Sequence, residues 1–160
     1  MTTQDPPTQQ MLTFEIGGES YGVEILRVRE IRGWTSVTRI PRAPAHVLGV
    51  LNLRGSIVPV VDLRMRFELE RAEYTKVTVV IVLSVQSSTG RREVGVVVDA
   101  VSDVVDVNEA EMKPAPDLGS QFSNDYIRGL VPLAQRMVVL LDIDKLIGTQ
   151  ISGYGDAAAA

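Results

Sequence analysis

Apolar and polar positions alternate along most of this chain. In Met11–Ile16, Leu12, Phe14 and Ile16 fall on one side and Thr13 and Glu15 on the other, the period of two that marks a half-buried strand. Gly17-Gly18 supplies a turn. Tyr21, Val23 and Ile25 then alternate with Gly22 and Glu24, which predicts a β-hairpin. Val28–Ile31 continues as extended chain. Pro41 and Pro44 bracket a loop, and Ala45, Leu48 and Gly49 share a face that predicts a short helix over Ala45–Leu51. Ser56–Val61 reads as a strand, placed at an edge or carrying a bulge because Pro59 lacks an N–H. Leu63–Phe67 predicts a bend or one helical turn, and Glu68–Lys76 an exposed charged connection.

Val77–Val85 gives the clearest strand. Val77, Val79, Ile81, Leu83 and Val85 share one face, while Thr78, Val80, Val82 and Ser84 form another that is also largely apolar, so burial on both faces is expected. Glu93–Asp99 returns after a polar loop over Ser87–Arg92, making 77–99 a second hairpin. Val101–Val107, Tyr126–Leu133 and Arg136–Leu141 supply further strands, with Lys113–Gly119 as a loop. Asp142 or Asp144 can cap a closing helical turn with Ile143, Leu146 and Ile147 facing inward and Gly148 as its stop. Many short strands with turn residues between them suggest an all-β fold of small barrels or a sandwich. Apolar hairpins recur in each half, without an exact sequence repeat.

Composition narrows the function classes. The 160 residues fit one domain, or two very small ones sharing a core. Residues 1–10 and 149–160 read as flexible tails, leaving the folded chain at about 11–148. A net charge of −4 gives no electrostatic case for nucleic acid. No apolar run reaches the roughly 18 residues of a membrane span, and the first residues do not read as a signal peptide. With no cysteine, disulfides and thiolate metal sites are excluded. A cytoplasmic protein is the simplest expectation.

Catalytic chemistry is sparse. His46 is the only histidine, and no nucleophile elbow, P-loop or dinucleotide fingerprint is present. Asp99, Asp103 and Asp106 are spaced loosely like metal ligands but read better as solvated strand-edge charges. Arginines at 27, 29, 32, 39 and 42 form a basic run with only Trp34 as an interleaved aromatic, which falls short of a single-strand nucleic-acid platform. The stretch Gly49–Phe67, GVLNLRGSIVPVVDLRMRF, is apolar and chemically plain, the composition of a core or a docking surface. Glu30 and Arg54 stand out, because a charge in apolar surroundings is costly unless paired. They read either as two exposed side chains or as a pair that orients a docking surface.

The segments YGVEILRVREIRGW (21–34), TRIPRAPAHVLGVLNLRGSIVPVVDLR (38–64), VTVVIVL (77–83), VGVVVDAVSDV (94–104) and KPAPDL (113–118) resemble the CheW family of bacterial chemotaxis coupling proteins, in order and spacing, over roughly Leu12 to Ile147. The resemblance implies two small five-stranded SH3-like β-barrels packed around a shared hydrophobic seam, with short helices. It implies a middle barrel from about 22–80 and another from about 11–21 plus 81–148. It implies no catalysis, no cofactor and no metal. The implied partners are the cytoplasmic hairpin tip of chemoreceptors, the regulatory CheW-like domain of the histidine kinase CheA, and other copies of the family in rings, at membrane-associated arrays without membrane insertion. Val28, Glu30, Gly49, Arg54, Ile57, Thr78, Val79, Val94 and Val104 match receptor-facing or groove-supporting segments. The kinase-facing surface is expected around Arg39, Ile40, Pro41, Arg64 and Phe67.

Overall fold

A computed structural model describes residues 8–44, 47–66, 75–87, 90–116, 125–133 and 135–148. Ten strands form two five-stranded sheets: β1 (Thr8–Ile16), β2 (Glu19–Glu24), β3 (Val28–Gly33), β4 (Val47–Leu53), β5 (Ser56–Asp62), β6 (Val79–Ser87), β7 (Gly90–Val98), β8 (Ala100–Asn108), β9 (Ile127–Leu133) and β10 (Arg136–Leu141). A short helix α1 (Leu63–Arg66), 3₁₀ turns at Ile25–Arg27 and Glu109–Glu111, and a closing helical turn (Asp144–Gly148) complete it. The sheets are two small SH3-like barrels around a shared apolar seam. The middle one runs β3-β6-β7-β5-β4 and the other β8-β1-β2-β10-β9.

Period-two alternation divides the strands' side chains among three apolar clusters. Val80 and Val82 point into the middle barrel with Leu51, Leu53, Val58, Val60 and Val97. Met11, Val107, Val131, Val138 and Leu140 fill the other barrel. The alternate residues Leu12, Phe14 and Ile16 of β1, Ile81, Leu83 and Val85 of β6, and Val94, Val96 and Val98 of β7 meet in the seam. The two-sided burial expected for the 77–85 segment is met over Val79–Val85, because β6 lines a barrel with one face and the seam with the other; Val77 precedes the strand and is exposed.

The two barrels are built on one plan. Shifting every strand number by five converts one sheet order into the other, including the parallel pairs β5 with β7 and β10 with β2. Over β4–β5 and β9–β10 the match extends to the residues at a constant spacing of 80: Gly49 and Gly129, Leu53 and Leu133, Val58 and Val138, Asp62 and Asp142. The same bulge recurs, skipping Arg29 between Val28 and Glu30 in β3 and Ser102 between Val101 and Asp103 in β8. Single bridges close each sheet at equivalent places, Thr38 with Val50 and Lys113 with Leu130. The chain is thus two tandem five-strand repeats, β1–β5 and β6–β10. Each barrel takes three strands from one repeat and two from the other.

Several expectations are corrected. The division between barrels falls at Asp99, not near residue 80, because β6 and β7 pair with β3 and β5 in the middle sheet. Val47–Leu53 is strand rather than part of a helix; its alternating burial serves a sheet, and Ala45 and His46 lie outside the described residues. β1 begins at Thr8, inside the stretch expected to be a tail, since Gln9 and Gln10 pair with Val107 and Asp106. β5 is not an edge strand; Pro59 is tolerated one residue before β5 begins to pair with β7 at Val60.

Candidate functional site

The β4–β5 hairpin turns over Arg54 and Gly55, whose φ values are 52° and 89°. Positive φ at both central residues is the two-residue turn whose twist suits a hairpin, and it favours Asn-Gly or Gly-Gly. The Asn52 side chain accepts the Gly55 N–H at 2.9 Å. Arginine in the left-handed region costs about 1–2 kcal/mol, so its retention asks what its side chain does. It crosses to β3, where Nη2 lies 3.0 Å from Glu30 Oε1. Glu30 is about a quarter exposed and Arg54 81% exposed, so the pair itself adds little stability. Ile57 on β5 and Ile31 on β3 stand exposed on the same barrel. The middle barrel thus carries a charged pair at a hairpin turn with positive φ, together with two exposed isoleucines. Glu30 and Arg54 are thus paired with each other rather than standing as two separate exposed side chains.

The remaining expected site residues separate by burial. Val28 and Val79 are half-buried against the seam. Val94 and Thr78 are 0% and 1% exposed, so they support the surface from within. Gly49 is buried at φ 151°, and a Cβ there would overlap the Thr38 carbonyl, so this glycine admits the bridge that closes the barrel. Val104 is exposed, but it stands on β8 of the other barrel, at the position equivalent to Ile31. No hydrogen bond or ion pair among the described residues joins it to Glu30 and Arg54.

Arg39 and Pro41 are exposed and Ile40 is half-buried; with Trp34, Pro44 and Met65, Arg39 and Ile40 line a hollow of about 470 Å³. Phe67 lies outside the described residues. Arg64 is corrected: only 2% exposed, it cannot face a partner. Its Nε and Nη2 donate to both oxygens of the equally buried Asp62, at 3.0 and 2.9 Å, and its Nη1 donates to Asp99 at 3.2 Å. The hydrogen bonds that Arg64 donates to Asp62 are the main cause raising its pKa, with burial opposing them. Asp99, expected to be a solvated charge, also accepts the Gly17 N–H at 2.8 Å. Sequence reasoning missed this network; Asp62 and Arg64, two apart at the end of an apolar strand, were the available signal.

A mirror-image link ties the other crossover. Arg27 donates to both oxygens of Asp144, at 3.0 and 2.7 Å, and to the Ser84 carbonyl, while the Gln86 N–H donates to Asp144. Asp144 raises the Arg27 pKa chiefly through that hydrogen bond. Arg64 and Asp144 occupy equivalent places 80 residues apart, so the two links have opposite polarity. Among the described residues no group of three or more His, Cys, Asp or Glu could hold a metal ion, and no helix is long and apolar enough to cross a membrane.

Comparison with known proteins agrees with this architecture. Residues 10–150 match the model of the CheW-like domain. The chain is 45% identical to a chemotaxis protein CheW of Klebsiella aerogenes over 94% of its length and 89% of the relative's, and 41% identical to a chemotaxis protein CheW of Rhizobium meliloti over 89% of each. The crystal structure of the scaffolding protein TtCheW from Thermoanaerobacter tengcongensis superposes with a TM-score of 0.78 at 27% identity, covering 89% of this chain and 92% of that one. With two interleaved barrels and a continuous family match across nearly all of it, the chain belongs to the CheW-like domain family.

Proposed function

We propose that this protein is a non-enzymatic cytoplasmic adaptor, recruited to membrane-associated chemoreceptor arrays, that couples methyl-accepting chemoreceptors to the histidine kinase CheA. The carrying observation is the Glu30–Arg54 pair. A strained arginine is kept at a hairpin tip, where its own barrel gains little from it. Such strain persists where a function uses it. Receptor tips are helical hairpins, and a helix docks by setting apolar anchors into an apolar surface whose rim charges fix register. Ile57 and Val104 are the exposed apolar candidates of the proposed receptor surface, with Glu30 and Arg54 as its charged rim. Val28, Gly49, Thr78, Val79 and Val94 hold the strands beneath. The kinase contact is assigned to Arg39, Ile40 and Pro41 beside the Trp34 hollow.

Signalling through such an adaptor shifts the kinase between conformations by the difference in the assembly's affinity for each. The test is co-sedimentation of the protein with a receptor cytoplasmic fragment and CheA, together with kinase assays. A ternary complex with raised kinase activity is expected. Absence of both complex and activation with every co-occurring receptor contradicts the reading.

A further inference from the structure

The chain passes from the middle barrel into the other through one residue. β7 ends at Val98 and β8 begins at Ala100, so two nine-residue strands abut across a bend at Asp99. Opening that bend would carry residues 90–108 onward as one extended strand and lift β8–β10 away from β1 and β2. Three contacts hold the bend closed: Arg64 Nη1 to Asp99 at 3.2 Å, the Gly17 N–H to the Asp99 carboxylate at 2.8 Å, and the Asp99 N–H to the Glu15 carbonyl at 3.0 Å.

We propose that the β8–β10 module, residues 100–148, exchanges between two copies of this chain, and that Asp99 is the hinge whose clamp favours the closed monomer. The occupant of the vacated face of β1 and β2 is the same module of a second copy. The molecule already makes this exchange within itself, because each barrel combines three strands of one repeat with two of the other. The complementary surfaces are therefore carried by separable halves of the chain. In the exchanged dimer the pairings of β1 with β8 and β2 with β10 reform between chains. So do the cluster around Met11, Val131 and Leu140 and the Arg27–Asp144 link. Only the hinge contacts are given up. Arg64 keeps its bonds to Asp62 when Asp99 leaves, so opening strands no buried charge. Exchange that conserves every other contact is a low-cost route to a dimer, and short hinges invite it. An exchanged dimer carries two copies of the Glu30–Arg54 surface in one particle, and with them the avidity of a bivalent adaptor.

The chain's lack of cysteine makes the test direct. Gln10 and Asp106 are exposed direct partners across β1 and β8. Full-length Gln10→Cys/Asp106→Cys protein is held reduced at low and at high concentration, then oxidised and run on a non-reducing denaturing gel. A monomer, or a dimer formed through any other surface, locks the disulfide within one chain. An exchanged dimer locks it between chains. The expected result is a covalent dimer band that rises with concentration and grows several-fold when Asp99→Ala or the milder Asp99→Asn is added. Intrachain bonds alone at every concentration, in the parent pair and in whichever hinge variant folds, would overturn the proposal.

Discussion

The β4–β5 and β9–β10 hairpins are the same piece of structure used twice, and they differ where they meet solvent. Both carry a buried glycine beside the bridge that closes the barrel, and both end on an aspartate that organises the following turn. Asp62 receives the Arg64 N–H and Asp142 the Lys145 N–H, at 2.9 and 3.2 Å. Both show one large apolar side chain to solvent, Ile57 and Met137. At the tips they part. The first turns over Arg54 and Gly55 and sends the arginine across to Glu30; the sequence equivalents in the second are Ala134 and Gln135. There the nearby Arg136 hydrogen-bonds Ser20 and reaches Glu15. What the barrels share is what folding requires. What only one of them has, a strained arginine aimed at a neighbouring carboxylate, is the better candidate for work done on another molecule.

That contrast can be broken from the folding side first. Arg64→Ala leaves Asp62 buried without its partner and is expected to cost about 3–5 kcal/mol, read as a lowered midpoint in urea unfolding. Arg54→Ala, at an exposed pair, should move that midpoint hardly at all. Next come the paired glycines. Gly49→Ala meets the rigid Thr38 carbonyl at a φ that side chains rarely adopt, and the backbone strain alone is worth about 1–3 kcal/mol. Gly129→Ala, at a φ open to side chains, meets the Met112 side chain and comes only to 3.0 Å from the Lys113 carbonyl, so its loss should be the smaller of the two in the same assay.

A subtler effect sharpens the difference between the tips. Arg54→Asn puts a residue that tolerates the left-handed region into the turn. Its unfolding free energy should stay within about 0.5 kcal/mol of the parent or rise, while binding to a receptor fragment weakens. The smallest expected effect concerns Tyr21, which stacks on Phe14 in the seam with ring centroids 6.1 Å apart. Burial, then Glu19 and Tyr126, raise its pKa above the ordinary 10.0. A folded-state pKa above the unfolded one gives stability that is complete below pH 10 and is lost as the pH climbs through the raised value. Thermal unfolding from pH 9 upward should show a decline that Tyr21→Phe makes shallower.

Strand content was readable because alternation is a local property; Leu12, Phe14 and Ile16 declare their common face without reference to anything else. The two-sided burial of β6 was equally plain, since Val80 and Val82 are as apolar as Ile81 and Leu83. Sheet membership was not readable. Which barrel β6 and β7 join depends on pairing with β3 and β5, a long-range choice that leaves no mark on 79–98 itself. The helical spacing of Ala45, Leu48 and Gly49 hides the strand that begins at Val47, which the closing bridge from Thr38 to Val50 holds in the sheet. The Glu30–Arg54 pairing was legible as an alternative, since two charges in apolar surroundings need an explanation. Arg64 was misassigned because a surface and a buried arginine look alike until Asp62 and Asp99 are seen converging on it.

The most direct measurement is the charge exchange at the hairpin tip, read in the ternary assembly with a receptor cytoplasmic fragment and CheA. Arg54→Glu and Glu30→Arg should each abolish most co-sedimentation and kinase activation while the urea midpoint stays close to the parent's, and the double exchange should restore part of both. Full coupling in the Arg54→Glu protein, or a loss of coupling that appears only with unfolding, would contradict the account.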